Sequence, residues 1–365
     1  MTRETESSAR TLSPLEAERA IYIDFECVGT KPPTPAVLGV LHAADQAPFE
    51  QVIVHPELAP ARLAQGRLRV ADVGDAVRVL VDLARRDGRL IVGWSFFDRD
   101  VAIAAAPGSA GDLRALYRNA LHTARPWRAA VHPGFTVRRA DRFAPKHTLD
   151  QYAHLAGYPG VSQLTEAFPA DWIRHTLTQL RAQKGFYRRT TKQTKRDWHD
   201  LLEYNRQDCL ALRHIILKAG RELAAWRAYE RTKFCVEEDS RRFCFKAGAK
   251  NESLDALLDR HGEERWAFIT AWNPGSVELR RAENDSRQRA LVSVVEAAGL
   301  AWIPGQGVGE DPLWTPEGSL LVLGVSRAAA VKTGRRFGQL AVVVGRRGGP
   351  ALLVPCASQA DRDSH

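Results

Sequence analysis

The chain is poor in cysteine and has no cysteine spacing that would build a scaffold. Five cysteines occur in 365 residues (Cys27, Cys209, Cys235, Cys244 and Cys356), an odd number with no Cys-x-x-Cys pair. That argues against a zinc site and against a disulfide framework, and it fits a reducing cytoplasm. No run of about 18 apolar residues exists, so no membrane span is expected. Residues 1–14 are polar, rich in Ser and Thr, and lack an apolar core, which predicts a frayed tail and not a signal peptide. What is present is 44% hydrophobic and 26% charged residues, the balance of a soluble globular protein of two domains. A core of that size needs no disulfide staples. The formal charge of +9 is compatible with a nucleic-acid partner.

Residues 21–28, 36–43 and 49–54 read as three short strands joined by polar turns, an antiparallel meander. Residues 75–87 have helical apolar spacing, with Gly88 as a C-cap. Residues 89–93 form a buried strand that runs into a helix start at Trp94-Ser-Phe-Phe-Asp98. Helices are expected at 113–129, 147–157 and 171–183, with a basic, irregular connection at 133–145. The longest helical candidate is 198–232, whose apolar face includes Leu201, Leu202, Leu212 and Ile216. This order suits a mixed sheet flanked by helices better than a fully parallel, doubly wound fold.

The chemistry starts in Ile21-Tyr-Ile-Asp-Phe-Glu-Cys-Val28. Side chains two apart on a strand share a face, so Asp24 and Glu26 aim at one spot. Two buried carboxylates repel unless a cation lies between them, and hard divalent ions such as Mg²⁺ or Mn²⁺ favour such oxygen ligands. On the long helix, Tyr204 and Asp208 are four apart and share a face. Asp98 follows Asp24 by 74 residues and precedes Asp208 by 110, a span that fits one domain. A second stretch, residues 181–196, holds Arg181, Lys184, Arg188, Arg189, Lys192, Lys195 and Arg196 with no acid, and Phe186 and Tyr187 lie among them. Lys and Arg neutralise phosphates while aromatic rings stack on unpaired bases, so Lys184, Phe186, Tyr187, Arg188, Arg189 and Lys192 are the candidate strand contacts.

The ordered set Asp24-x-Glu26, Phe97-Asp98 and Tyr204-x-x-x-Asp208 resembles the DEDD superfamily of 3′–5′ exonucleases, in its tyrosine-bearing subclass, over about residues 15–230. The first and third motifs match well. The second is looser, because Trp94 and Ser95 stand where the family commonly carries Asn; Asp98 fits best and Asp100 is the fallback. The resemblance implies a ribonuclease-H-like α/β fold, in which Asp24, Glu26, Asp98 and Asp208 hold two divalent ions (Mg²⁺ or Mn²⁺). It further implies that Tyr204 orients the attacking water and that Phe25 or Phe97 stacks on the 3′ end of single-stranded DNA or RNA. His122 and His147 are read as ordinary hydrogen-bonded histidines, and Asp150 is left out of the metal set.

The expected domains are thus a tail (1–14), the exonuclease domain (15–232), a charged linker (233–260), a small α/β domain (261–357) and a tail (358–365). The last domain resembles an uncharacterised bacterial family through Ala271-Trp-Asn-Pro-Gly275 and Arg335-Arg-Phe-Gly-Gln339, and Asn273, Asn284, Arg287 and Gln339 either line a pocket or serve as caps and turns. Beside the exonuclease stand three rival readings: a ligand-gated nuclease effector, a structure-selective endonuclease, and a silent nucleic-acid-binding protein.

Overall fold

A computed structural model describes residues 10–29, 32–42, 49–64, 68–137, 147–163, 169–239, 241–311 and 313–356. The expected C-terminal tail, residues 1–9 and most of the predicted basic connection lie outside the described residues. The chain divides into two compact units, one of residues 1–126 and 136–220, the other of 127–135 and 221–365. The division falls at residue 220, inside a helix, and not at 232. No helix among the described residues is long and apolar enough to cross a membrane.

The first unit contains α1 (Pro14–Arg19), β1 (Ile21–Val28), β2 (Thr34–His42), β3 (Phe49–Ile53), β4 (Arg69–Val70), α2 (Val73–Arg86), β5 (Ile91–Gly93), α3 (Phe96–Ala105), α4 (Ala110–Leu116), β6 (Tyr117–Asn119), α5 (Leu121–Val131), α6 (Leu149–Ala156), α7 (Pro169–Ala182) and α8 (Lys192–Arg231). The ends of α5 and α8 belong to the second unit. The sheet order is β4-β3-β2-β1-β5-β6. The first three strands form the expected antiparallel meander, while β4, β5 and β6 pair in parallel.

Two expectations fail here for identifiable reasons. Residues 10–14 are not a frayed end: Ser13 caps α1 in a capping box with Glu16, and the Leu12 amide donates to Thr123 Oγ1. The single helix predicted at 113–129 is broken by β6, because Tyr117-Arg-Asn119 pairs with Ile91–Gly93 and that tertiary pairing overrides local helix propensity.

Alternation along β1 decides what each face of the sheet carries. Ile21, Ile23 and Phe25 pack with Val77, Leu80 and Val81 of α2 and with Val101 and Ala102 of α3. The opposite face presents Tyr22, Asp24, Glu26 and Val28, and α8 lies across it. Its buried face runs Trp198, Leu201, Leu202, Asn205, Asp208, Cys209, Leu212 and Ile216, the three-and-four spacing of one helical stripe. Trp198, Leu201 and Leu202 join Val28, Val37 and the α7 residues Ile173, Leu177 and Leu180, whereas Cys209, Leu212 and Ile216 join Tyr22. Each such buried aliphatic side chain stabilises the fold by about 1.5–3 kcal/mol. Between the two apolar clusters, polar side chains of β1 and α8 meet.

The second unit contains β7 (Lys233–Glu238), β8 (Arg241–Phe245), α9 (Glu252–His261), β9 (Arg265–Thr270), α10 (Arg281–Ala297), β10 (Trp302–Val308), β11 (Glu317–Leu323), α11 (Arg327–Arg336), β12 (Ala341–Arg346) and β13 (Leu352–Pro355). These strands form an antiparallel sheet ordered β13-β12-β9-β11-β10-β7-β8. Residues of α10 and α11 pack on one face and those of α9 on the other. The stretch read as a linker, 233–260, is therefore β7, β8 and α9. Its charges disguised it: Lys233, Glu237, Arg241 and Arg242 surround only a few inward residues, Phe234, Val236 and Phe245. The cysteines read as forming no disulfide framework include one pair at the same place, since Cys235 and Cys244 sit opposite each other on the hairpin and form a disulfide. Both units are mixed assemblies of helix and sheet.

Candidate metal centre

Asp24 and Glu26 of β1 and Asp208 of α8 bring carboxylate oxygens within 4.8 Å of one another. Asp98 lies beside this group and not in it. The first turn of α3 carries it, where the Ser95 hydroxyl accepts from the Phe97 amide, and its Oδ1 accepts from the Phe25 amide at 3.2 Å. Gly93 leaves the room for this, because a Cβ there would lie 2.9 Å from Asp98 Oδ2 and closer still to the Tyr117 hydroxyl. Asp100 points to solvent and pairs with Arg99 at 2.8 Å. Of the two candidate acids on α3, the geometry thus turns Asp98 towards the cluster.

The acids are held where ionisation is unfavourable. Burial pushes Asp24 up to about 6, with the Asn205 amide pulling the other way. Glu26 is raised well above the usual carboxylate range, by burial first and then by the charges of Asp24, Asp208 and Asp98. Burial followed by the Asp24 charge raises Asp98 and Asp208 likewise. Glu26 Oε1 is buried without a hydrogen-bond partner among the described residues. A largely buried, oxygen-only donor set with mutually repelling charges and an orphaned acceptor fits a hard divalent cation. Tyr204 lies one turn before Asp208 on α8, and burial, followed by the charges of Asp208, Glu26 and Asp24, raises its phenol above its ordinary value. The Trp172 ring meets Tyr204 edge-on at 6.3 Å.

Sequence reasoning missed Asn205 and Gln51. Asn205 is fully buried, and its Nδ2 donates to Asp24 Oδ2 at 2.8 Å and to the Asp24 carbonyl at 3.2 Å. Gln51 Nε2 donates to Asn205 Oδ1 at 3.0 Å and to the Leu202 carbonyl at 2.8 Å. The one available signal was a polar residue at a buried position of the α8 stripe.

The predicted strand contacts divide. Phe25 is only 4% exposed and packs in the core on the face of β1 opposite the acids, so strand alternation removes it from the site. Tyr187 is 6% exposed and packs with Trp198 and Leu201; the charge run hid a core residue. Phe97 is 46% exposed, next to Asp98. Phe186 is 55% exposed, with the Arg189 guanidinium stacked 4.6 Å from its ring centroid. Lys184, Arg188 and Lys192 are exposed. Arg181 is held by Glu57 through two bonds of 2.6 and 2.9 Å. At 1.5 Å per residue, Lys192 stands about 24 Å from Asp208 along α8. His147 Nδ1 lies 2.9 Å from the Tyr152 hydroxyl and the His122 ring packs edge-on against Phe96, so both are engaged within the fold.

Residues 269–342 match a family described as a protein of unknown function, DUF3293. No curated protein and no solved structure matches the chain. The DUF3293 match agrees with the small uncharacterised domain expected there, and it begins beyond every acid of the candidate centre. Within it, Asn273 takes a left-handed conformation, and its side chain donates to Glu317 Oε1 at 2.7 Å and accepts from Asn284 Nδ2 at 2.8 Å. Arg287 donates to the carbonyls of Ala271 and Phe337, and Gln339 to that of Trp272. These four side chains clamp the turn after β9.

Proposed function

We propose that the protein is a metal-dependent 3′–5′ exonuclease acting on single-stranded or frayed nucleic acid through a ribonuclease-H-like first unit. The observation that carries this reading is the convergence of Asp24, Glu26 and Asp208, with Glu26 Oε1 unpartnered among the described residues and Tyr204 one turn before Asp208 on α8. An antiparallel meander extended by parallel strands, with the acids on its central strand, supports the fold assignment. The 3′ polarity is supported by the motif resemblance. Asp24, Glu26, Asp98 and Asp208 would hold two divalent ions. Bound divalent ions supply Lewis-acid chemistry, easing deprotonation of water and neutralising charge on phosphate oxygens. Tyr204 stays protonated at neutral pH, so it positions by donating a hydrogen bond and is no general base. The reaction adds water across the terminal P–O3′ bond, leaving a shortened strand with a 3′-hydroxyl and a nucleoside 5′-monophosphate. Phe97 offers an apolar surface beside the acids. Phe186, Arg188, Arg189 and Lys192 would engage the strand several nucleotides away by stacking and phosphate neutralisation.

The test uses 5′-labelled single-stranded DNA and RNA with Mg²⁺, Mn²⁺ or EDTA. A ladder shortening by single nucleotides, abolished by EDTA and by Asp208→Ala, is the expected result, and it names the preferred sugar. Cleavage that survives Asp208→Ala would overturn the reading, and products cut internally would replace it with an endonuclease.

A further inference from the structure

We infer that Asn205 and Gln51 are positioning residues that fix the rotamer of Asp24 and thereby set the affinity of the metal centre; the inference rests on the metal-centre reading above. Three strands and a helix build the arrangement. Asp24 of β1 is in register with Gly39 of β2, and Gly39 with Gln51 of β3. Asn205 descends from α8 onto the middle of this row and bridges its two ends. Only glycine fits beneath it, because a Cβ at residue 39 would lie 2.5 Å from Asn205 Oδ1.

The orientation of both amides follows from groups that can only accept. The Leu202 carbonyl requires a donor, which assigns Gln51 Nε2 to it. The same Nε2 donates to Asn205, which must therefore present its oxygen to Gln51. Asn205 Nδ2 is left facing Asp24, where the carbonyl and the carboxylate are both acceptors. A flip of Asn205 would set nitrogen against nitrogen at Gln51 and oxygen against oxygen at Asp24. Asp24 Oδ2 is thereby engaged, and Oδ1 is the oxygen left for an ion. Neutral amides do this without adding charge to a site that already holds several acids. Outer-shell partners of ligating groups, when removed, typically lower metal affinity or activity 10–100-fold.

Isothermal titration of the metal-free full chain with Mn²⁺, alongside kcat and KM on a single-stranded oligonucleotide, tests the assignment. Gln51→Leu and Asn205→Ala should each bind Mn²⁺ about 10–100-fold more weakly than the unaltered chain. Their oligonucleotide KM should stay unchanged, and kcat should recover at saturating Mn²⁺. Asp24→Ala is the control that must lose binding. Unaltered Mn²⁺ affinity in both variants, with only a lowered melting temperature, would reduce the row to a structural role and overturn the inference. An unaltered chain that binds no Mn²⁺ would overturn the metal centre itself, and this inference with it. A Gln51→Leu chain that binds like the parent while Asp24→Ala does not would overturn the inference alone.

Discussion

Asp24→Asn should make the metal-free protein more stable while disabling the proposed metal site. In the fold Asp24 titrates at about 6, against an ordinary 3.8, with burial as the main cause. The native state therefore holds this proton more tightly than the unfolded chain does. Lowering the pH from above 6 towards 4 stabilises the fold, and raising it through 6 removes that stability. At 1.36 kcal/mol per pH unit, the ionised side chain destabilises the metal-free fold by about 3 kcal/mol at pH 7.5. That figure is an upper one, because Asp24 is partly exposed. Asparagine removes the charge, and its oxygen still accepts from Asn205 Nδ2. For a unit of this size, at about 2–4 °C per kcal/mol, the melting temperature in EDTA should rise by several degrees. The gain should fall to roughly half at pH 5, where the native carboxyl is mostly protonated. Millimolar Mn²⁺ should raise the melting temperature of the parent at pH 7.5 and leave the variant unmoved. Scanning calorimetry at the two pH values checks all three points. A variant less stable than its parent in EDTA at pH 7.5, or one whose gain ignores pH, would refute the electrostatic reasoning.

Three further outcomes are expected. Trp198→Ala empties a fully buried site between α8 and the sheet and should lower stability by about 3–5 kcal/mol in urea unfolding. Gly345→Ala would place a Cβ 2.5 Å from the Trp266 ring and should destabilise the second unit by about 1–3 kcal/mol, read as faster amide exchange in β9 with β1 unchanged. Removing Arg188 and Arg189 together should weaken single-strand binding and lower the log–log salt slope by about 0.7 per lost phosphate contact, whereas Arg181→Ala, already tied to Glu57, should leave the slope alone.

The reach of the sequence followed the range of the interactions. Asp24 and Glu26 were legible because strand period is local, and Asp208 because helix period is. The meander and the length of α8 rest on the same short-range patterns. Asn205 was not legible, since its role depends on the register of three strands and on where α8 lands. Phe25 could have been set aside from alternation alone, because a residue between two acids on a strand faces away from them. Tyr187 was obscured by the charges around it, and so were β7 and β8, whose outward Lys, Glu and Arg outweigh their inward residues. The cysteine count gave no hint of a cross-strand pair, since pairing needs only two residues opposite each other.

The separation of the clustered acids along the chain bears on how the protein is made. Asp208 follows Asp24 by 184 residues. At synthesis rates of about 5–20 residues per second, the acids of β1 wait roughly 10–40 s before α8 exists. Until then β1 carries two carboxylates in an apolar strand, with neither Asn205 to bond Asp24 nor Asp208 to complete the cluster. A nascent or prematurely terminated chain therefore lacks the assembled acid cluster, and the order of translation withholds it until the first unit is nearly complete.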